Sequence, residues 1–190
     1  MAIKSISTPF CREETRALRC GEVVLLSGEI YTARDAAHMR FMDVIKSGGA
    51  LPFPVQNAII YYVGPTPAGP GRVIGSAGPT TSGRMDAFTP VLIASGITGM
   101  IGKGKRSPDV IAAMQEYGAV CFGAVGGAGA LIARCVESSE IVTYEDLGAE
   151  AVRRLVVRDM PLTVVVDHEG NDLYNQGRAD YLRWRDGGKG

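Results

Sequence analysis

The feature that most constrains the fold of this chain is an alternation of strand-like and helix-like segments between residues 22 and 122. Residues 22–32 (EVVLLSGEIYT) are rich in β-branched and apolar side chains, and residues 33–46 carry apolar side chains at helical spacing, which predicts a strand followed by a helix. Further elements are predicted as strands at 58–63, 73–77, 97–101 and 119–122 and a helix at 108–117. This βαβα order favours parallel strands joined by helical crossovers.

Strand patterns dominate the last part of the chain. They occur at residues 140–144, 152–157 and 162–166, and the last of them runs into residues 167–171 (DHEGN), which resemble a hairpin turn. The predicted fold class is therefore α/β with a mixed sheet, not a purely doubly wound one. Because the 190 residues contain no internal repeat and no clear linker, we expect one compact domain over 1–190, with residues 186–190 as a frayed tail.

Residues 78–84 (GPTTSGR) form a turn whose residue types expose backbone N–H groups or cap a helix. A helix should follow within a few residues. Proline is tolerated in the first turn of a helix but not in its middle, so Pro90 means that this helix either begins near Thr89 or is kinked. The sequence leaves both possibilities open.

Charge and hydropathy argue against two classes of partner. The chain has 20 basic and 20 acidic side chains, so it lacks the net positive charge that drives nucleic-acid binding. The first residues lead into a polar segment, and the longest apolar stretch, 119–133, is interrupted by glycines. We therefore expect a soluble, cytoplasmic protein that binds neither nucleic acid nor membrane.

The cysteines and histidines predict no metal site in this chain. The four cysteines are isolated, without a CxxC pair, which is neither a zinc pattern nor a three-cysteine iron–sulfur run: Cys11, Cys20, Cys121 and Cys135. His38 and His168 are the only histidines, so a catalytic Ser–His pair has few candidates. Hydrolysis through a catalytic triad is not expected.

Three cations follow predicted strands or begin predicted helices: Arg34, Arg84 and Lys103. Open α/β sheets gather ligand groups at such positions, and arginine forks suit carboxylates while lysine acts as a point charge, so a small dicarboxylate is the expected ligand. The N–H groups of residues 78–84 would also suit a phosphate. However, neither GxxxxGK[ST] nor GxGxxG occurs, so nucleotide binding has little support.

Three segments together resemble the β subunit of class I fumarases and L(+)-tartrate dehydratases: ARDAAH (33–38), GPTTSGRMD (78–86) and IGKGKRS (101–107). Their order and spacing extend over nearly the whole chain. The resemblance implies a swivelling β/β/α domain and an α-type partner subunit, expected as α2β2. That partner would hold a [4Fe–4S] cluster through three cysteines, with one iron open to act as a Lewis acid on the substrate hydroxyl.

The same resemblance implies roles for individual residues. Thr80 would be the base that exchanges the C3 proton of the substrate, and the carboxylates would be bound by Arg34, Arg84 and Lys103. Thr81, Ser82 and Gly83 would add N–H or hydroxyl contacts. Because a threonine hydroxyl ionises far above neutral pH, Thr80 needs the nearby cations and a carboxylate from the partner. Without the motifs, Thr80 would be interpreted as a helix N-cap.

Two further expectations concern the surroundings of these residues. Asp35 and His38, one turn apart, are either partners that contact Arg34 or a pair on the helix surface; the surface pair is favoured, and both are left outside the site. The three cations are expected on one exposed face, where they would repel one another until the substrate and a carboxylate of the partner neutralise them.

Within the family, the sequence favours a fumarate hydratase that interconverts fumarate and (S)-malate, a step of the tricarboxylic acid cycle. Gly83 before Arg84 and Asp86 after Met85 resemble the fumarase branch more than the tartrate dehydratase branch, which is the alternative. A third possibility is a non-catalytic module that binds a dicarboxylate, in which the hydroxyl of Thr80 would have no role.

Overall fold

The computed structural model of the chain describes residues 3–125 and 127–187. The strands are β1 (Lys4–Ser7), β2 (Val23–Thr32), β3 (Ile59–Tyr61), β4 (Gly99–Gly102), β5 (Val120–Gly123), β6 (Val136–Thr143) and β7 (Val152–Val166). The α-helices are α1 (Arg12–Arg16), α2 (Asp35–Lys46), α3 (Thr89–Ala94), α4 (Pro108–Tyr117), α5 (Gly129–Arg134) and α6 (Leu173–Gly187). Two 3₁₀ helices lie at Ser82–Met85 and Glu145–Glu150.

The strands form one mixed sheet in the order β1-β2-β3-β4-β5-β7-β6. Neighbours from β1 to β5 are parallel, whereas β7 runs antiparallel to β5, β6 and β2. The additional β2–β7 pairing closes a ring of five strands. The predicted mixed α/β sheet with parallel pairing in the middle of the chain is therefore confirmed, and the parallel strands of the ring end at one rim.

Both faces of the central strands are buried. Ile59 and Tyr61 of β3 belong to one apolar cluster, and Ile60 between them belongs to a second, because successive strand residues point to opposite faces. The second cluster contains the buried apolar side chains of α2, α3 and α4. These three helices therefore cover one face of the sheet.

Helix α2 begins at Asp35, directly after extended Arg34, and has an acidic residue in its first turn and Lys46 in its last. This charge order suits the helix dipole. His38 is fully buried in α2, and its Nδ1 donates to the Arg34 carbonyl over 2.8 Å. Burial lowers the pKa of His38 to about 4, so it is neutral at physiological pH. The interpretation of His38 as a surface residue is wrong.

Residues 73–77 were predicted as a strand and are not one. Ile74 and Ala77 are buried, as the pattern indicated. Their segment bonds to a loop and a helix instead of a sheet, because Gly75 N–H donates to Thr66 O and Ala77 N–H donates to Gly129 O, each over 3.0 Å. Burial was correctly predicted, but the hydrogen-bond partners were not.

Residues 152–157 and 162–166 were predicted as separate strands but belong to the single strand β7. The residues between them form an irregularity in the pairing with β2, between the pairs Leu26–Met160 and Gly28–Val157. Asp159 has a φ of 49° in this bulge. Arg158 and Asp159 interrupt the pairing with β2 there, but β7 continues through them.

The structure decides where several of the predicted elements begin and end. Helix α3 begins at Thr89 with Pro90 in its first turn, so the kinked alternative is wrong. The turn after β7 is held by the carboxylate of Asp167 and is hairpin-like, as predicted, because Val166 and Asp172 form an antiparallel bridge across it; α6 follows directly. Residues 186 and 187 end α6, and residues 188–190 of the predicted tail lie outside the described residues.

Within the described ranges, no helix combines the length and apolar character needed to cross a membrane.

Candidate active site

The loop of residues 78–84 is fixed by its backbone at the ends of β3 and β4. Thr80 N–H donates to Tyr62 O over 2.7 Å, Lys103 N–H donates to Thr80 O over 3.2 Å, and Ser82 N–H donates to Lys103 O over 2.7 Å. Thr81 and Lys103 thereby form an isolated parallel bridge. Two of the sequence motifs thus meet at the rim where the parallel strands end.

Thr80 is not a helix cap. The 3₁₀ helix that follows is Ser82–Met85, so its N-cap residue is Thr81 and not Thr80. The Thr81 side chain makes no capping hydrogen bond. Thr80 is half-buried, and both of its backbone polar groups are bonded. No group in the described part of the chain forms a hydrogen bond with its Oγ1. The structural alternative of an N-cap is therefore wrong, and the hydroxyl is available for another partner.

The other loop residues differ in exposure. Thr81 and Gly83 are exposed, and Ser82 is buried beneath the loop. A Cβ at Gly102 of β4 would lie only 2.2 Å from Ser82 Oγ and 2.9 Å from the Tyr62 ring, so the loop approaches β4 as closely as it does because residue 102 is a glycine.

Arg34 and Arg84 are joined by the carboxylate of Asp35. Arg84 Nε donates to Asp35 Oδ1 over 2.9 Å, Arg84 Nη2 lies 2.8 Å from Asp35 Oδ2, and Arg34 Nη2 lies 3.8 Å from the same oxygen. Glu150 Oε1 lies 3.3 Å from Arg34 Nη2. The expectation that these cations repel one another without compensation is wrong, and Asp35 is not a mere helix-surface residue.

Lys103 is exposed at the end of β4, beside a shallow cavity. The other lining residues are mainly small or apolar and come from the end of β5 and the two residues after it, from β7 and from α6: Gly123, Ala124, Val125, Thr163, Val165, Leu173 and Tyr174. Gly104 N–H donates to the Tyr174 hydroxyl over 3.0 Å, which ties α6 to the third motif. The sequence did not predict α6 or this contact.

A buried ion pair connects the second and third motifs. The Arg106 side chain is fully buried, and its Nε lies 2.9 Å from Asp86 Oδ1. Arg106 also donates to the Tyr62 hydroxyl over 3.2 Å and to Thr89 Oγ1 over 2.7 Å. The N–H of Ser107 donates to Asp86 Oδ2 over 2.6 Å. Sequence reasoning did not assign a role to Arg106, although it lies inside the IGKGKRS motif.

The cysteines of the chain are poor candidates for holding an iron–sulfur cluster. Burial raises the pKa of Cys20 to about 11, and burial also raises the pKa values of Cys121 and Cys135. Cluster ligands are thiolates, which these environments disfavour. Among residues 3–125 and 127–187, no three His, Cys, Asp or Glu side chains lie close enough together to hold a metal ion. The described residues therefore do not fit a cluster.

Comparison with known proteins shows the family of this chain. A family model described as "Fumarase C-terminus" matches residues 3–177. The putative L(+)-tartrate dehydratase subunit beta of Methanocaldococcus jannaschii is 36% identical over 171 residues, which cover 87% of this chain and 88% of that protein. The aerobic class I fumarate hydratase of Escherichia coli strain K12 is 39% identical over 153 residues, or 80% of this chain.

The mitochondrial fumarate hydratase 1 of Leishmania major is likewise 39% identical over 153 residues. The matched region is 28% of the length of each of these two fumarate hydratases. The chain thus corresponds to one part of the fumarate hydratases and to nearly all of the tartrate dehydratase subunit. It belongs to the fumarase C-terminus family.

Proposed function

We propose that this chain is the β-type component of a [4Fe–4S]-dependent hydro-lyase that interconverts fumarate and (S)-malate. The observation that carries the proposal is the backbone pairing of the 78–84 loop with Lys103, together with the Asp35 link between Arg84 and Arg34. These contacts join the loop that carries Thr80 and Arg84 to Lys103 at the end of β4. They also join that loop to the start of α2, where Arg34 lies. The family membership supports a hydratase over an unrelated anion-binding protein.

The charges of the site suit a dianionic substrate. Arg34, Arg84 and Lys103 contribute three positive charges, and Asp35 and Glu150 contribute two negative ones, which leaves one net positive charge. Both arginines carry more donors than their carboxylate partners use, so a substrate carboxylate can be added without displacing Asp35. Lys103 supplies a point charge for the second carboxylate. Thr81 and Gly83 are exposed and would add contacts from the loop, whereas buried Ser82, whose N–H is bonded to Lys103 O, would shape the loop from beneath.

Thr80 would move the C3 proton. When that proton leaves, charge develops on the neighbouring carboxylate, and Arg34, Arg84 and Lys103 would stabilise it. One net positive charge is not enough to make a threonine hydroxyl a strong base at neutral pH, so the proton of Thr80 must be shared with a stronger acceptor. We assign that role to a carboxylate of the partner chain.

We assign the cluster to an α-type partner, with α2β2 as the proposed assembly. This assignment is supported by the raised pKa values of Cys20, Cys121 and Cys135 and by the similarity to a protein named as a subunit beta. In this role the chain would act in the cytoplasm, in the tricarboxylic acid cycle.

A tartrate dehydratase β subunit is the second candidate function. It is favoured by one observation: the relative from Methanocaldococcus jannaschii, named as such a subunit, matches over 88% of its length. A dicarboxylate-binding module without turnover would use the same cations and would not need Thr80.

Initial rates with a set of substrates distinguish these functions. The assembled enzyme, prepared anaerobically with its cluster-bearing partner, should hydrate fumarate and dehydrate (S)-malate faster than it dehydrates L(+)-tartrate. The opposite ranking would establish the tartrate dehydratase. Dicarboxylate binding without any turnover would favour the binding module.

A further inference from the structure

We propose that Asp35 is a positioning residue that holds one edge of the Arg84 guanidinium and directs the other edge toward a substrate carboxylate. This inference rests on the proposed function. The two residues are 49 positions apart in sequence, and their side chains are only partly buried, with 32% of Asp35 and 50% of Arg84 exposed. An arginine side chain that is half exposed would otherwise sample many rotamers. The contact with Asp35 restricts Arg84 to one orientation of its guanidinium.

The geometry of the contact leaves a defined set of donors available. A guanidinium presents two edges that can each take a carboxylate, one formed by Nε and Nη2 and one formed by Nη1 and Nη2. Asp35 occupies the first edge, since its oxygens lie 2.9 Å from Nε and 2.8 Å from Nη2 of Arg84. The second edge remains for a ligand. A carboxylate bound there would lie in the plane that Asp35 has fixed.

The position of Asp35 is itself determined by the start of helix α2. Arg34 is the extended N-cap residue and Asp35 is the first helical residue, so the backbone fixes both. Glu150 strengthens this arrangement, because its Oε2 accepts from Ala36 N–H over 2.9 Å while its Oε1 lies 3.3 Å from Arg34. Because Asp35 is fixed at the N-terminus of α2, its contact with Arg84 fixes that side chain of the 78–84 loop relative to the helix.

Two other roles for Asp35 lead to different results. If Asp35 only stabilises the N-terminus of α2 through the helix dipole, its removal should have the same effect whether or not Arg84 is present. If Asp35 is a stand-in anion that the substrate must displace, its removal should tighten dicarboxylate binding. A positioning role requires weaker binding that depends on Arg84.

The test is a double-mutant cycle in the assembled enzyme, with Asp35→Asn, Arg84→Lys and both together. The readouts are the affinity for succinate, a dicarboxylate that cannot be hydrated, and the kcat and KM for fumarate. Asp35→Asn should weaken succinate binding by about tenfold and lower kcat/KM by about 10- to 100-fold, because misplacing a binding group by about 1 Å can cost 10²-fold. In the Arg84→Lys background, the same change should alter succinate affinity by less than about twofold.

Asp146→Asn is the matched control. Asp146 forms an exposed pair with Arg40 of α2, the helix that begins at Asp35, and this substitution should leave both readouts unchanged. Tighter succinate binding in Asp35→Asn, an equal loss in both Arg84 backgrounds, or no change in an active enzyme would overturn the positioning role alone. A wild-type assembly that neither binds succinate nor hydrates fumarate would overturn the proposed function and this inference with it.

Discussion

Thr80→Ala in the assembled enzyme should lower kcat for fumarate by about 10²- to 10⁴-fold and leave KM nearly unchanged. Loss of a general base has this typical cost, and the hydroxyl is needed in the transition state more than in ground-state binding. The backbone of Thr80 carries the loop contacts to Tyr62 and Lys103, and these survive the substitution. The measurement is steady-state kinetics in both directions.

Thr143→Ala provides the control for the Thr80 substitution. Thr143 is a partly exposed threonine at the end of β6, outside the motifs, and the change should not affect kcat. Succinate affinity should also be the same in Thr80→Ala and the wild type, which would show that the loop keeps its shape. A variant with wild-type kcat would exclude Thr80 as the base.

Replacing Arg106 should have the largest effect on stability. Arg106→Met leaves the carboxylate of Asp86, whose side chain is 15% exposed, without its cation, and also removes the donors to Tyr62 and Thr89. Breaking a buried ion pair by removing one partner costs about 3–5 kcal/mol. The free energy of unfolding, measured with urea, should fall by that amount.

A second substitution tests the cause of this loss. Adding Asp86→Asn to Arg106→Met removes the unpaired charge, so the double variant should be less destabilised than the sum of the two single variants. Arg158→Met is the surface control, because its pair with Glu137 is exposed and should contribute about 0–1 kcal/mol. A loss of under 1 kcal/mol in Arg106→Met would show that the buried pair does not hold the two motifs together.

The sequence predicted an element correctly where the apolar side chains follow the period of the secondary structure that the backbone hydrogen bonds form. Strand β2, helix α2 and helix α4 have apolar side chains at the period of their own secondary structure, and each was predicted within two residues at its ends. Residues 73–77 have an equally apolar pattern, but their N–H and C=O groups bond to a loop and to α5. A pattern of side chains cannot distinguish these two cases.

The sequence predicted the residues of the candidate site and one shared face for its cations, but not the contacts that join them. The motifs contained Thr80, Arg84 and Lys103, and the structure shows the backbone pairing between their segments. The link from Asp35 to Arg84 joins side chains that are distant in sequence, and nothing in one sequence indicates that they meet. The sequence offers Asp35 as a partner of Arg34 or as a surface charge of a helix, and the contact with Arg84 is found only in the structure.

The proposal that this chain needs a cluster-bearing partner for turnover is tested by assaying the chain alone. The chain would be purified anaerobically without its partner, supplied with iron and sulfide, and assayed for fumarate hydration beside its visible spectrum. We predict no turnover and no iron–sulfur absorption, with activity appearing only when a cluster-bearing α-type protein is added. Robust turnover, or a stoichiometric brown cluster retained by this chain alone, would contradict the proposal and make its cysteines ligands.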